Sequence, residues 1–460
     1  VTNAEQISNI VVIGGSYKAW FSAMVLARAC APLSKVTVIN LPTERNLVDL
    51  SFVTDSQFID LHKNLGINLT HLLKTGAAQT YSAVQYQNYF DTENTTIGLD
   101  LELPTFRTIE LHHVLASSDS TELANYSYAA QAALNNKLIL PSGKQGHISN
   151  SFQIGLQMDG ASYVQFATGA CQQMGAQCFS QEIAAIVKDD NTGLIKQISL
   201  VDGTNLNADL IIDCSWNSRF SQKYFSSKWQ TLAGEDVSHT KMQTCVQTKQ
   251  AIEQHQQPIN KHLVVQKQTA NTSNKNTLGL QQQFSCNGFV VTNEYIAESR
   301  TNLSQNAKVI EYQIGRIDKV FSGNLCSLGA IAQFDKPIFA NSLLMVRALT
   351  YLLENFPNKQ HSPFNREYLN ELIEKDISEL YQFYSVHDPE LSNSAELLVA
   401  FFCASGRVER QLNPIIPYQR WINHLAALYP AYQVEPMVKT FSRAEIEDFL
   451  VSVKERIKQL

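Results

Sequence analysis

"IVVIGGSYKAW", Ile10–Trp20, decides how the chain begins to fold. An apolar run ends in two glycines, and from Lys18 onward apolar residues recur at helical spacing through Ala19, Trp20, Ala23 and Ala27 to Cys30. The pattern predicts a short buried strand over Ile10–Ile13, a glycine turn, and a helix over Lys18–Cys30. "KVTVIN", Lys35–Asn40, reads as a second buried strand, which completes a right-handed βαβ unit. Its turn places a helix N-terminus, with unpaired amide N–H groups, where a pyrophosphate could sit. In the usual G-x-G-x-x-G form, though, the second glycine is Ser16 here and the third is Ala19. Gly14 and Gly15 therefore carry two readings: a cofactor turn, or simply a tight strand-to-helix connection.

Further along, "SQFIDLHKNLGI", Ser56–Ile67, is an amphipathic helix, and Val84 to about Leu140 mixes short strands with polar loops. Met158–Phe179 reads as one long helix ending near Gly175. A hairpin follows with Asn191 and Gly193 in its turn, then a turn at Asp202-Gly203, and then the buried strand Leu210–Asp213, which returns to the first sheet. Lys223 to Val309 is mostly β, with a polar loop "KQTANTSNKNT". A helix over about Ala340–Asn355 precedes a nearly all-helical end.

The bulk numbers suit a globular protein of two or three domains: 460 residues, 44% hydrophobic and 17% charged. The net charge of -6, from 42 acidic and 36 basic residues, argues against nucleic acid or an anionic membrane as the main partner. No apolar run is long enough for a transmembrane helix, and the polar start "VTNAEQISN" lacks a signal-peptide pattern, so a cytoplasmic location is expected. The eight cysteines form no C-x-x-C pair and read as reduced, mostly buried residues. His112 and His113 are adjacent, but without H-E-x-x-H no metal site is expected.

Several stretches, taken in order, resemble the flavin-dependent tryptophan halogenase family, whose fold is akin to p-hydroxybenzoate hydroxylase. Gly14–Trp20 resembles the family's G-G-G-x-A-G-W. "DGTNLNADLIIDCSWNSRF" resembles "dG..l.aDlfIDCtGfrs", and "GEDVS" around Asp236 resembles the loop before the substrate sheet. "GRIDKVFSGNLCSLGAIAQFDKP" resembles "GR...W..N...iG.AagFlEP" through Gly315, Arg316, Asn324, Gly329, Ala332, Phe334 and Pro337. "FNREYLNELIEKDISELYQFYSVH" resembles "YN..m...y...rDF...HY". The resemblance implies an α/β architecture: an FAD/NAD(P)-binding Rossmann-like domain over 1–357, interleaved with a β-rich substrate domain at about 84–150 and 223–309, and a helical C-terminal region over 358–460.

In that family FAD carries the hard chemistry, while the protein binds, orients and excludes water. A lysine receives hypohalous acid, a glutamate stands beside it, and a W-x-W-x-I-P segment walls flavin from substrate. Tyr81 stands at the lysine position here, with Lys74 upstream as a solvated surface residue. Phe339 stands at the glutamate position and has no acid-base capacity. Asp335 and Lys336 nearby read as a surface pair. Leu280 and Gln282 replace the tryptophans. In the flavin site Asn40 replaces the ribose-binding acid, Leu50–Thr54 replaces the glycine-rich flavin loop, and Trp216 replaces the glycine of "DCtG". Trp216 or Phe52 could fill the flavin cleft.

The positions left to hold FAD are Gly14, Gly15, Ser16, Ala19, Asn40 and Gly329, and weak or lost binding is expected. The chain is thus expected to keep the family's fold without halogenating. It would bind an aromatic small molecule or partner a related halogenase. The competing expectation is an active halogenase or monooxygenase on an indole-like substrate, fed by a flavin reductase. A homodimer is compatible with either.

Overall fold

The computed structural model describes residues 5–31, 33–47, 50–89, 92–118, 122–137, 147–225, 227–230, 232, 239–248, 262–269, 279–286, 289–297, 308–334, 342–387 and 392–459. The opening unit forms as its pattern requires: strand β1 (Asn9–Ile13), helix α1 (Tyr17–Cys30) and strand β2 (Lys35–Ile39). β1 and β2 pair in parallel, and the strand Leu210–Asp213 pairs in parallel with the other side of β1. The full six-stranded order is Gln177–Phe179, β2, β1, Leu210–Asp213, Leu325–Ser327, Phe321–Ser322, parallel except for the last pair.

Both faces of this sheet are covered, which is why its strands read as unbroken apolar runs. Ile10 and Val12 join the main core under α1 and the helices Gly160–Gln173 and Ser342–Glu354. Val11 and Ile13, on the opposite face, join a smaller core with Ile195, Ile198 and Leu200 of a three-stranded antiparallel sheet. One strand thus feeds two cores by simple alternation.

A second large sheet has seven strands in the order Lys308–Gln313, His239–Thr248, Phe289–Ala297, Gly279–Cys286, Leu263–Thr269, Ala83–Tyr89, Thr92–Gly98. Its strands come from two distant parts of the chain, which meet in the parallel pairing of Leu263–Lys267 with Ala83–Gln87. The C-terminal helices are not an appendage. Trp421, Ile422 and Leu425 enter the main core, while Ile446, Leu450, Val453 and Ile457 pack with Leu111, Val114 and Tyr126. Ser442 and Glu445 start the last helix as a reciprocal capping box. Among the described residues no helix is long and apolar enough to cross a membrane.

Two sequence expectations are corrected. Met158–Phe179 is not one helix but the end of the strand Gly155–Met158, the helix Gly160–Gln173 and the strand Gln177–Phe179. The Asp159 side chain accepts from Ser162 N at 3.0 Å and starts the helix there, while Gly175 at φ +80 follows its end. The Val84–Leu140 stretch contains two helices, Leu111–Ala116 and Tyr128–Leu134, besides its strands. The second is capped by Ser127, whose Oγ accepts from Ala130 N at 2.9 Å.

Candidate functional site

Strand order reverses at β1: β2 lies on one side and Leu210–Asp213 on the other. The crevice outside the carboxyl ends of β1 and Leu210–Asp213 is where α/β sheets of this kind take their ligands. Two turns meet there. Gly14–Ser16 leads into α1, and Cys214–Ser218 leaves the neighbouring strand.

The space beside the glycines Gly14 and Gly329 is filled by the second turn's backbone. Gly14 has φ +139, and a Cβ there would lie 2.6 Å from the Cys214 carbonyl oxygen. A Cβ on Gly329 would lie 1.9 Å from the Ser215 carbonyl oxygen. Buried Asp213 pins the second turn, accepting from Ser215 N at 2.9 Å and Ser221 N at 2.7 Å. Its backbone carbonyl accepts from both Leu328 N and Gly329 N. Asn217 and Ser218 sit at positive φ within that turn. Ala19 is fully buried in the first turn of α1, and Ser16 is its N-cap without a side-chain capping bond.

Into this crevice projects a residue that the sequence reading passed over. Glu44, on the short 3-10 turn Pro42–Leu47 after β2, is only 5% exposed. Its Oε2 accepts from Gly15 N at 3.0 Å and its Oε1 from Trp216 N at 2.7 Å. Burial pushes its carboxyl above the usual range, opposed by those two N–H donors. Lys18, from the first turn of α1, donates to the Gly329 carbonyl oxygen at 2.6 Å. Its ammonium is pushed down to about 8 by burial, with Cys214 and Glu44 acting the other way. Asn40 lies alongside: its Oδ1 is buried without a hydrogen-bond partner, and a Cβ on Gly15 would sit 3.1 Å from it.

Leu50–Thr54 is no open loop, since Phe52–Thr54 is a buried strand paired with Leu156–Met158. The Phe52 ring stacks on Tyr17 at 3.6 Å between centroids and 6° between planes. Leu50 also meets the start of the Gly160 helix so closely that a Cβ on Gly160 would lie 2.1 Å from the Leu50 carbonyl oxygen. Trp216 packs half-buried against the main core.

Tyr81 ends the strand Ala78–Tyr81 and is 2% exposed. Its hydroxyl donates to the Thr54 carbonyl oxygen at 2.9 Å, and burial raises its pKa well above the ordinary phenol value. It pairs across the sheet with Gly155, where a Cβ would lie 2.3 Å from the Tyr81 ring. Gly155 is thus the small partner that makes room for this phenol, and only the register reveals it. Lys74 is exposed. Gln282 is buried in the strand Gly279–Cys286. Asp236, Asp335, Lys336 and Phe339 lie outside the described residues, as does the side chain of Leu280.

Two other motif residues act within the fold. Arg316 pairs with the Glu374 carboxylate. Asn324 Nδ2 donates to the Ile195 carbonyl oxygen at 2.8 Å while its Oδ1 accepts from Ile195 N at 3.1 Å. Away from the crevice, Glu110, His112 and His113 bring three potential ligand atoms within 4.8 Å of one another. His112 Nε2 is bonded to the Gly406 carbonyl oxygen at 2.7 Å, His113 Nδ1 accepts from Glu435 N at 3.2 Å, and the Arg410 guanidinium holds Glu110 at 3.2 Å. Each of the three thus has a partner within the protein.

The parallel sheet, its glycine turn and the crevice at the strand reversal define an α/β protein of the dinucleotide-binding type, here with a second large sheet and a helical end. The family model described as tryptophan halogenase matches residues 9–411, and the chain belongs to that family. Its fold is shared by Xcc4156, a flavin-dependent halogenase from Xanthomonas campestris, at TM-score 0.85 and 16% identity, covering 99% of this chain and 95% of that one. BrvH, a flavin-dependent halogenase from Brevundimonas sp. BAL3, gives 0.84 and 15%, covering 98% and 96%. The tryptophan 6-halogenase SttH from Streptomyces toxytricini gives 0.82 and 13%, covering 99% and 97%. No curated protein matches the chain.

Flavin is therefore the cofactor that membership of this family implies. At the crevice the Gly15 and Trp216 N–H groups are taken by the Glu44 carboxylate. Asn40, where the family's ribose-binding acid stands, keeps a buried acceptor oxygen without a donor, which a ribose hydroxyl would supply. The segment at the place of the family's flavin loop is a strand whose Phe52 ring is stacked on Tyr17.

Proposed function

We propose that this chain is a halogenase-family member that neither halogenates nor holds FAD tightly, and that keeps the glycine turn as a folding element. The observation that carries this reading is Glu44 seated on the amides of Gly15 and Trp216. Tyr81 supports it independently: a phenol whose hydroxyl is engaged by Thr54 cannot form the nitrogen–halogen bond that a lysine could. The role this leaves is binding, of an aromatic small molecule or of a related halogenase.

Titration of the purified protein with FAD, followed by flavin fluorescence and calorimetry, tests the reading. The expected result is a colourless protein with no saturable binding at micromolar FAD. A yellow protein, or chlorinated or brominated indole formed with a flavin reductase, oxygen and halide, would refute it in favour of an active flavoenzyme.

A further inference from the structure

The crevice at the end of β1 is built for an anion. Two backbone N–H groups converge on it from neighbouring parallel strands whose last residues, Ile13 and Asp213, are in register. The positive end of the 14-residue helix α1 opens onto it. The Lys18 ammonium and the Arg219 guanidinium both favour the charged form of the Glu44 carboxylate, while buried Asp213 opposes it. A buried amide pair left without an acceptor costs as much as a lost hydrogen bond at each N–H, so the pocket requires an occupant.

That occupant belongs to the chain. The 3-10 turn Pro42–Leu47 is tied down from outside by Thr43 N donating to Glu182 Oε1 at 2.9 Å and locally by Glu44 N donating to the Leu41 carbonyl oxygen at 3.0 Å. This aims Glu44 inward, one oxygen to each amide. The fit is tight: a Cβ on Gly15 would lie 3.2 Å from Glu44 Cβ. Asn40 Oδ1, buried and unbonded beside it, is a hydrogen-bond acceptor with no donor to meet.

We infer that Glu44 is an internal anion that occupies the diphosphate cradle of this fold, so that the cradle is closed by the protein's own carboxylate and opens to a nucleoside diphosphate when that carboxylate is removed. The inference rests on the reading above and gives it a cause at a single residue. It concerns the diphosphate end of the site only. The stacked Phe52 and Tyr17 rings would still occupy their own place when Glu44 is gone.

The test uses ADP and inorganic pyrophosphate as probes, because neither needs room for a flavin ring. Wild type, Glu44→Ala and Glu44→Gln are compared by calorimetry and by the shift of the thermal midpoint on adding probe. Glu44→Ala is expected to bind ADP about 10- to 100-fold more tightly than wild type, the range set by exchanging two charge-assisted hydrogen bonds from protein to ligand. ADP is expected to raise the midpoint of the variant and leave that of wild type unmoved. Glu44→Gln, which keeps one accepting oxygen but no charge, should fall between. If Glu44→Ala does not fold, Glu44→Gln decides by the same comparison.

Folded variants that bind ADP and pyrophosphate no better than wild type would overturn the inference, as would wild type binding ADP as tightly as Glu44→Ala. Either result leaves the non-halogenating reading standing, since that falls only if wild type takes up FAD or makes halogenated product.

Discussion

Replacing Gly14 with alanine measures how far the turn's first glycine serves the chain rather than a cofactor. Two costs add. An L-residue at φ +139 is in a region that glycine alone occupies readily, which costs roughly 1–3 kcal/mol. The new Cβ would lie 2.6 Å from Cys214 O and 2.8 Å from Cys214 C, so something must move. Those atoms cannot move freely, because Cys214 N donates to the Ile13 carbonyl oxygen at 2.8 Å and the preceding residues are paired with β1. Overpacking of this kind costs roughly 1–3 kcal/mol. The sum is about 4 kcal/mol. Gly175→Ala is the control: its φ is +80, and nothing lies within 4 Å of its Cβ position, so only a backbone penalty of about 1–2 kcal/mol is expected. Equilibrium urea unfolding followed by tryptophan fluorescence gives both values from the midpoint shift at constant slope. Equal losses for the two variants would refute the reasoning, because the steric part would then be absent and the space around Gly14 open.

Two further outcomes follow from groups buried elsewhere. His62 is fully buried, its Nδ1 bonded to the Phe58 carbonyl oxygen at 2.7 Å and its Nε2 to the Tyr163 hydroxyl at 3.0 Å. Burial pushes its pKa down from 6.5 to about 4, so its contribution is complete above pH 6.5 and is lost as pH falls toward 4. The stability lost in His62→Gln, measured by urea unfolding, should therefore shrink by about 3 kcal/mol between pH 7 and pH 4; a pH-independent difference would contradict this. Asp376, within the "KDI" of the family-like helix, holds Arg347 of the helix Ser342–Glu354 at 3.0 Å, with Tyr351 Oη donating to the same carboxylate at 3.0 Å. Arg347→Met is expected to cost about 3–5 kcal/mol by stranding a buried carboxylate, and Arg347→Met/Asp376→Leu to recover most of it. Chemical denaturation of both variants checks this, and strictly additive losses would count against a coupled pair.

Local sequence determined a good deal of this protein. The β1–α1–β2 unit follows from an apolar run, a glycine turn and helical spacing, because each is a short-range preference that tertiary contacts reinforce. The Leu210–Asp213 strand and the C-terminal helices were legible on the same grounds, and the ordered motifs were enough to place the chain in its family. Local pattern failed at Met158–Phe179, where apolar spacing runs through two strands and a helix, and only the Asp159 cap and Gly175 mark the boundaries.

The candidate site belongs to tertiary structure. Within "LPTERNL" nothing distinguishes Glu44 from any charged loop residue. Its meaning lies in the Gly15 and Trp216 amides, 29 and 172 residues away in sequence. Those amides become neighbours only because Leu210–Asp213 docks against β1 in one register. Likewise Tyr81 reads as a lost lysine in sequence, while its partner Gly155 is set by the pairing of two strands. Which backbone donors converge on one buried point is a property of sheet order and register, and neither is written in any short stretch of the chain.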